Sequence, residues 1–225
     1  MEILITGASG MVGQAALKAC RDDPRVTRVT ALVRSPVGIN GGKVRECLCP
    51  DLFNVATIAD QLGVPDACLF CAGVSSVGMS EADYRRATYD LTLAVATVLL
   101  RLNPAMRFLY VSGSGTDSTE TGRTMWARVK GSTENGLVKL GFAGVALFRP
   151  GYIQPLDGVR SRTGWYNAAY AVLKPLYPLA KRLAGNHVTD TDTLGRAMLA
   201  AVQPDIPTAI YNPADINRIG GKPIG

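Results

Sequence analysis

The opening thirteen residues, Met1-Glu-Ile-Leu-Ile-Thr-Gly-Ala-Ser-Gly-Met-Val-Gly13, constrain this chain more than any other stretch. A short apolar run, Ile3 to Ile5, reads as a strand. It leads directly into Gly7-x-x-Gly10-x-x-Gly13, and a helix-like pattern follows. Strand, glycine turn and helix in that order are the context in which such a triplet binds a dinucleotide. Gly7 permits a tight turn out of the strand, Gly10 lets the backbone approach a pyrophosphate, and Gly13 lets the helix lie close to the sheet. Ser9, Met11 and Val12 complete the turn, and the phosphates face the positive end of the helix.

The end of the next strand-like run bears on which dinucleotide. Binders of NAD place an acid there to hold the ribose 2′-hydroxyl. Here the run Val26 to Val33 ends Leu32-Val33-Arg34-Ser35, with no carboxylate. A guanidinium in that place grips a 2′-phosphate with two parallel bonds, so Arg34 points to NADP (NADPH) as cofactor. An arginine solvated at a strand end is the plainer alternative.

Strand-like runs recur at 2–6, 27–33, 43–47, 67–71, 106–111 and 143–148, and helix-like segments at 11–22, 53–62, 80–101 and 123–140. This alternation implies crossover connections and a parallel sheet covered on both faces, an α/β doubly wound architecture of the Rossmann type. A chain of 225 residues with no divisible linker is expected to form one domain, 1–225. Residues 113–124 form a long polar loop after a strand's C-terminal end, where open α/β sheets place ligands. Beyond about 150 the alternation stops. The region 150–190 reads as a small C-terminal substrate or lid segment, and its aromatic stretch 163–184 also fits a dimer face, a membrane-surface patch or a kinked helix over the core. A last helix is expected at 191–202, capped by Thr189 or Asp190.

Composition removes several classes. No apolar run approaches the roughly 20 residues of a membrane helix, and no basic stretch precedes the first apolar run as in a signal peptide. Five cysteines and one histidine, His187, make no metal pattern, so no metal is expected. Cys68 and Cys71 fall on opposite faces of a strand-like run. Free thiols suit the cytoplasm. The net charge of +6 invites a nucleic-acid partner, but the basic residues are dispersed without interleaved aromatics, which argues against one. A homo-oligomer is possible.

These residues together resemble the short-chain dehydrogenase/reductase superfamily, and more closely its atypical, epimerase-like NAD(P)-binding branch with the relatives of Tat-interacting protein. The likeness rests on Thr6 to Gly13, Leu32-Val-Arg34, Asp51-Leu52, Cys71-Ala-Gly73, Tyr110-Val-Ser112, Val129-Lys-Gly131 and Phe148-Arg-Pro-Gly151. It implies that Asp51 and Leu52 border the adenine and that Cys71, Ala72 and Gly73 line the ribose path. It also implies that Lys130 holds the nicotinamide ribose, and that backbone from Pro150 through Gly151 to Ile153 meets the carboxamide.

In that superfamily a Tyr-x-x-x-Lys pair moves the proton, the lysine favouring the ionised tyrosine. The matching register here is Trp126-Ala-Arg-Val-Lys130. An indole N–H donates one hydrogen bond and relays no proton at ordinary pH. Ser112 and Ser114, 14 and 12 residues before Trp126, are both available as the serine partner. Tyr152 and Tyr166 are alternative acids, while Asp117 and Glu120 read as solvated loop residues. Two functions follow: an NADP-dependent oxidoreductase or epimerase-like enzyme on a small carbonyl or sugar-related substrate, or a non-catalytic NADP(H)-binding redox sensor or scaffold.

Overall fold

The computed structural model describes residues 1–156, 187–203 and 206–221. The aromatic stretch 163–184, including Tyr166, lies outside them. The apolar run at the N-terminus forms β1 (Glu2–Thr6), and the glycine turn leads into α1 (Met11–Asp22). There follow β2 (Arg28–Val33), β3 (Val44–Leu48), a 3-10 turn over Leu52–Ile58, α2 (Ala59–Leu62) and β4 (Ala67–Phe70). The expected helix at 80–101 is three joined pieces: α3 (Glu81–Arg85), one π turn (Arg86–Asp90) and α4 (Leu91–Leu102). The chain continues as β5 (Arg107–Val111), α5 (Met125–Leu140), β6 (Gly144–Phe148), β7 (Tyr152–Gln154), β8 (Val188–Asp190), α6 (Thr191–Ala200), β9 (Ala209–Tyr211) and α7 (Pro213–Gly220).

Seven strands pair in parallel in the order β3-β2-β1-β4-β5-β6-β9. The order reverses between β1 and β4, so a crevice opens there at the strands' carboxyl ends. Alternation along β1 divides the core. Ile3 and Ile5 pack with Ala16 and Leu17 of α1 and Leu194 and Met198 of α6, whereas Leu4 packs on the other face with Val95 and Leu99 of α4 and Leu137 of α5. Cys68 sits in the second cluster and Cys71 against the first, on opposite faces as their spacing requires. Asp190 caps α6, its carboxylate accepting from the Thr193 N–H at 2.7 Å.

Sequence patterning misses β9 and the separate β7–β8 pair. Each of these strands has three residues, too few to establish a period of two. Among the described residues no helix is long and apolar enough to cross a membrane.

Candidate functional site

The glycine turn forms an anion-ready end. Gly7 has φ +69°, a left-handed conformation, and a Cβ built there would stand 2.7 Å from the Ala72 nitrogen. At Gly13 a Cβ would meet the Gly7 carbonyl oxygen at 2.0 Å, so helix and turn touch through backbone alone. Gly10 is the least confined of the three: its Cβ would lie 3.3 Å from the Gly7 oxygen. It is also the N-cap of α1, with no side-chain cap and no acid in the first turn. The N–H groups of that turn, from Met11, Val12 and Gly13, have no partner within the helix and face outward with its dipole.

From this turn a cleft of about 580 Å³ runs across the sheet's switch point. Its walls bring together Gly7, Ser9, Gly10, Arg34, Asp51, Leu52, Cys71, Ala72 and Gly73, residues scattered over the first third of the sequence. Arg34 is exposed and has no ion pair or hydrogen bond to any described residue. Asp51 is engaged in caps: its carboxylate accepts from the Phe53 N–H at 3.0 Å and the Asn54 amide at 3.1 Å. Sequence reasoning misses the far wall, made by Phe53, Asp83, Arg86, Ala87 and Leu91. Arg86 lies over the Phe53 ring, 5.2 Å from its centroid. The packing of α4 on the 3-10 turn, with Arg86 of the π turn over Phe53, creates that wall.

Met11, Val12, Gly13, Ser112, Ser114, Trp126, Lys130, Pro150, Gly151 and Ile153 lie outside the lining of this cleft. Lys130 stands beyond its Gly73 end, with Nζ 4.0 Å from the place of a Gly73 Cβ. The lysine is buried. It donates to the Tyr110 hydroxyl at 3.1 Å and to the Val111 carbonyl at 3.2 Å. Burial holds its pKa below the ordinary lysine value, against the opposing pull of Tyr84 and Glu134. The Ser114 N–H bonds the Pro150 carbonyl at 2.8 Å, joining the loops after β5 and β6. Gly151 lies against His187, whose carbonyl oxygen would be 2.3 Å from a Cβ there, and Ile153 is buried in the core.

Trp126, Lys130 and Glu134 succeed one another at single-turn intervals on α5. The Trp126 ring covers the glycine turn after β5, 3.5 Å from a Cβ built at Gly115 and 3.9 Å from one at Gly113. Its indole N–H has no acceptor among the described residues. The Ser112 hydroxyl lies 2.6 Å from Glu134 Oε1 and so donates to a buried carboxylate, which also pairs with Arg149. The Ser114 side chain is exposed. Tyr152 donates its hydroxyl to Gln154 Oε1 at 2.9 Å.

The loop 113–124 is exposed over most of its length, yet its side chains are tied down. Asp117 accepts from the Thr119 hydroxyl at 2.6 Å and the Gly122 N–H at 2.7 Å, bonds that hold its carboxyl below the usual range. Glu120, at φ +63°, accepts from Ser132 and Asn135 of α5, and these bonds likewise lower its pKa. Gly131 lets the loop touch the helix: a Cβ there would fall 1.7 Å from the Asp117 carbonyl oxygen. The loop is therefore a fixed wall carried by α5.

Comparison with known proteins agrees with this geometry. The model of the NAD dependent epimerase/dehydratase family matches residues 3–123. Leucinostatins biosynthesis cluster protein T of Purpureocillium lilacinum is 30% identical over 123 residues, 53% of this chain and 45% of that protein. The match thus spans under half the length of that relative. Protein fmp52, mitochondrial, of Aspergillus clavatus is 24% identical over 98% of each chain. The Bordetella bronchiseptica enzyme WbmH, solved in complex with NAD+, superposes with a TM-score of 0.65 at 16% identity, covering 93% of this chain and 74% of that one.

Proposed function

The chain belongs to the NAD dependent epimerase/dehydratase family, and we propose that it is an NADP-dependent, epimerase- or oxidoreductase-like protein acting on a small carbonyl or sugar-related substrate. One observation carries the reading. The uncapped N-terminus of α1 and the unpaired Arg34 open onto the same cleft, at the reversal of strand order. The residues fit a phosphorylated dinucleotide: the first-turn N–H groups suit its pyrophosphate, and Arg34 at the end of β2 suits a 2′-phosphate. Ala72 and Gly73 offer backbone along the ribose path, and Lys130 stands at the nicotinamide end. A bound dinucleotide would supply hydride chemistry. The protein's part is to orient it and to hold a proton beside the reacting carbon.

A second reading, a redox sensor or scaffold, draws on two features of the reactive end. Trp126 occupies the tyrosine's register, and Glu134 holds the Ser112 proton. Reductive turnover of a panel of aldehydes, diketones and quinones separates the readings. The five free thiols suit a reducing compartment such as the cytoplasm.

Two results are expected from fluorescence titration. NADPH should bind more tightly than NADH, and Arg34→Ala should weaken NADPH alone by about 1.5–3 kcal/mol. Equal affinity of the wild type for both cofactors would refute the assignment. Gly10→Val should abolish binding of either dinucleotide yet remain folded, because a Cβ there meets only the Gly7 oxygen at 3.3 Å, a milder contact than at Gly7 or Gly13. A folded Gly10→Val that still binds would show that the phosphates lie elsewhere.

A further inference from the structure

The reactive end holds an unused hydroxyl pair that no family motif marks. Tyr84 of α3 is 3% exposed, and its hydroxyl has no hydrogen-bond partner among the described residues. One turn later, inside the π turn, Thr88 is 4% exposed and its Oγ1 is buried without a partner. Buried hydroxyls are ordinarily bonded, and leaving one unpaired costs about 1–3 kcal/mol. Tyr84 and Thr88, at i and i+4, share one face of one helical stretch. Ala87 and Leu91, at i+3 and i+7 from Tyr84, line the cofactor cleft. Both α3 and the π turn pack against α5, which carries Lys130. A π turn re-aims the side chains around it and recurs at functional sites.

The alternatives near Lys130 are spent. Trp126 has no transferable proton at ordinary pH, Ser112 is held by Glu134, and Tyr152 by Gln154. The Tyr110 hydroxyl already accepts from Lys130, and burial pushes its ionisation well above the tyrosine range. Tyr84 lies within electrostatic reach of Lys130 across the contact of α3 with α5.

We propose that the Tyr84 hydroxyl is the proton donor of this site, replacing the absent tyrosine at position 126. The proposal rests on the reductive reading of the site given above. As the substrate's carbonyl carbon gains hydride from the reduced dinucleotide, the C=O π pair moves onto oxygen, and that oxygen takes the Tyr84 proton. The phenol O–H bond breaks and the alcohol O–H bond forms. The phenolate is stabilised by the Lys130 ammonium and regains a proton from solvent.

The test uses the full chain and two readouts. Tyr84→Phe removes one oxygen and keeps the ring. Carbonyl reduction by Tyr84→Phe should fall about 10²-fold or more, while NADPH affinity by fluorescence stays within about threefold of the wild type. A variant that binds NADPH and keeps kcat within about threefold overturns the proposal. The second readout needs no turnover. In wild-type protein carrying [ζ-¹³C]tyrosine, the Tyr84 resonance, identified by its loss in Tyr84→Phe, is followed with NADP+ and tert-butanol, an alcohol with no hydride to give. The resonance should move when the alcohol is added, and an unmoved resonance overturns the proposal. If no carbonyl in the panel is reduced and the resonance moves, the reductive reading fails while Tyr84 stands as the group that meets a substrate hydroxyl. If carbonyls are reduced and Tyr84→Phe is unimpaired, the reductive reading stands and Tyr84 fails.

Discussion

Between pH 8 and pH 10 this protein is expected to lose about 4 kcal/mol of folding stability, the contribution of three thiols raised by desolvation, each at about 1.4 kcal/mol per pH unit above the unfolded pKa. Cys20 and Cys68 are buried, and Cys71, partly exposed, lines the cleft. Burial pushes Cys20 up to about 12 from an ordinary 9.0, and raises Cys68 and Cys71 as well. A thiol whose folded pKa is raised stays protonated in the native chain while the unfolded chain ionises. Its stabilising contribution is complete below the unfolded value and disappears as pH rises towards the folded one, so the loss begins near pH 9. Cys47 and Cys49, also raised by burial, act in the same direction. Lys130 opposes them, because its lowered folded pKa makes the unfolded chain the better proton binder just below the ordinary lysine value. One lysine does not offset three thiols. Urea unfolding at pH 8, 9 and 10 under reductant measures the slope, and Cys20→Ala should reduce it by about a third. A stability independent of pH over that range would contradict the burial of these thiols.

The N-terminal half was legible because strong local signals agree there with tertiary structure. The strand–glycine–helix order, the two-faced alternation of Ile3, Leu4 and Ile5, and the arginine ending β2 each need only neighbouring residues to be read. The main-sheet strands expected from the pattern lie within one residue of those found. What was hidden depends on side chains meeting across long sequence separations. Ser112 reads as a free serine until Glu134, 22 residues later, takes its proton. The exposed loop 113–124 reads as unattached, whereas Gly131, Ser132 and Asn135 hold it to α5. Tyr84 and Thr88 read as the buried stripe of a plain helix, and only the unpaired state of their hydroxyls and the π turn between α3 and α4 set them apart.

The same hidden contacts locate the second large effect. Glu134 is almost fully enclosed, at 1% side-chain exposure, and Arg149 is at 13%. Arg149 Nε lies 3.0 Å from Glu134 Oε1, its Nη2 pairs with Oε2, and the same guanidinium reaches Ser118 of the loop. One carboxylate therefore ties α5, the end of β5 through Ser112, the end of β6 through Arg149, and the loop. Glu134→Ala should cost about 3–5 kcal/mol, because it leaves a guanidinium poorly hydrated and without its partner. The pair itself is expected to be worth far less than that. Removing both charges in Glu134→Leu/Arg149→Leu should recover most of the loss, since an apolar pair of similar volume has no desolvation to overcome. Denaturant unfolding of Glu134→Leu, Arg149→Leu and the double gives the coupling directly. Additive losses in the double variant would mean that the four elements are held by packing rather than by this ion pair, and that Ser112 is freer to meet a substrate than its bond to Glu134 implies.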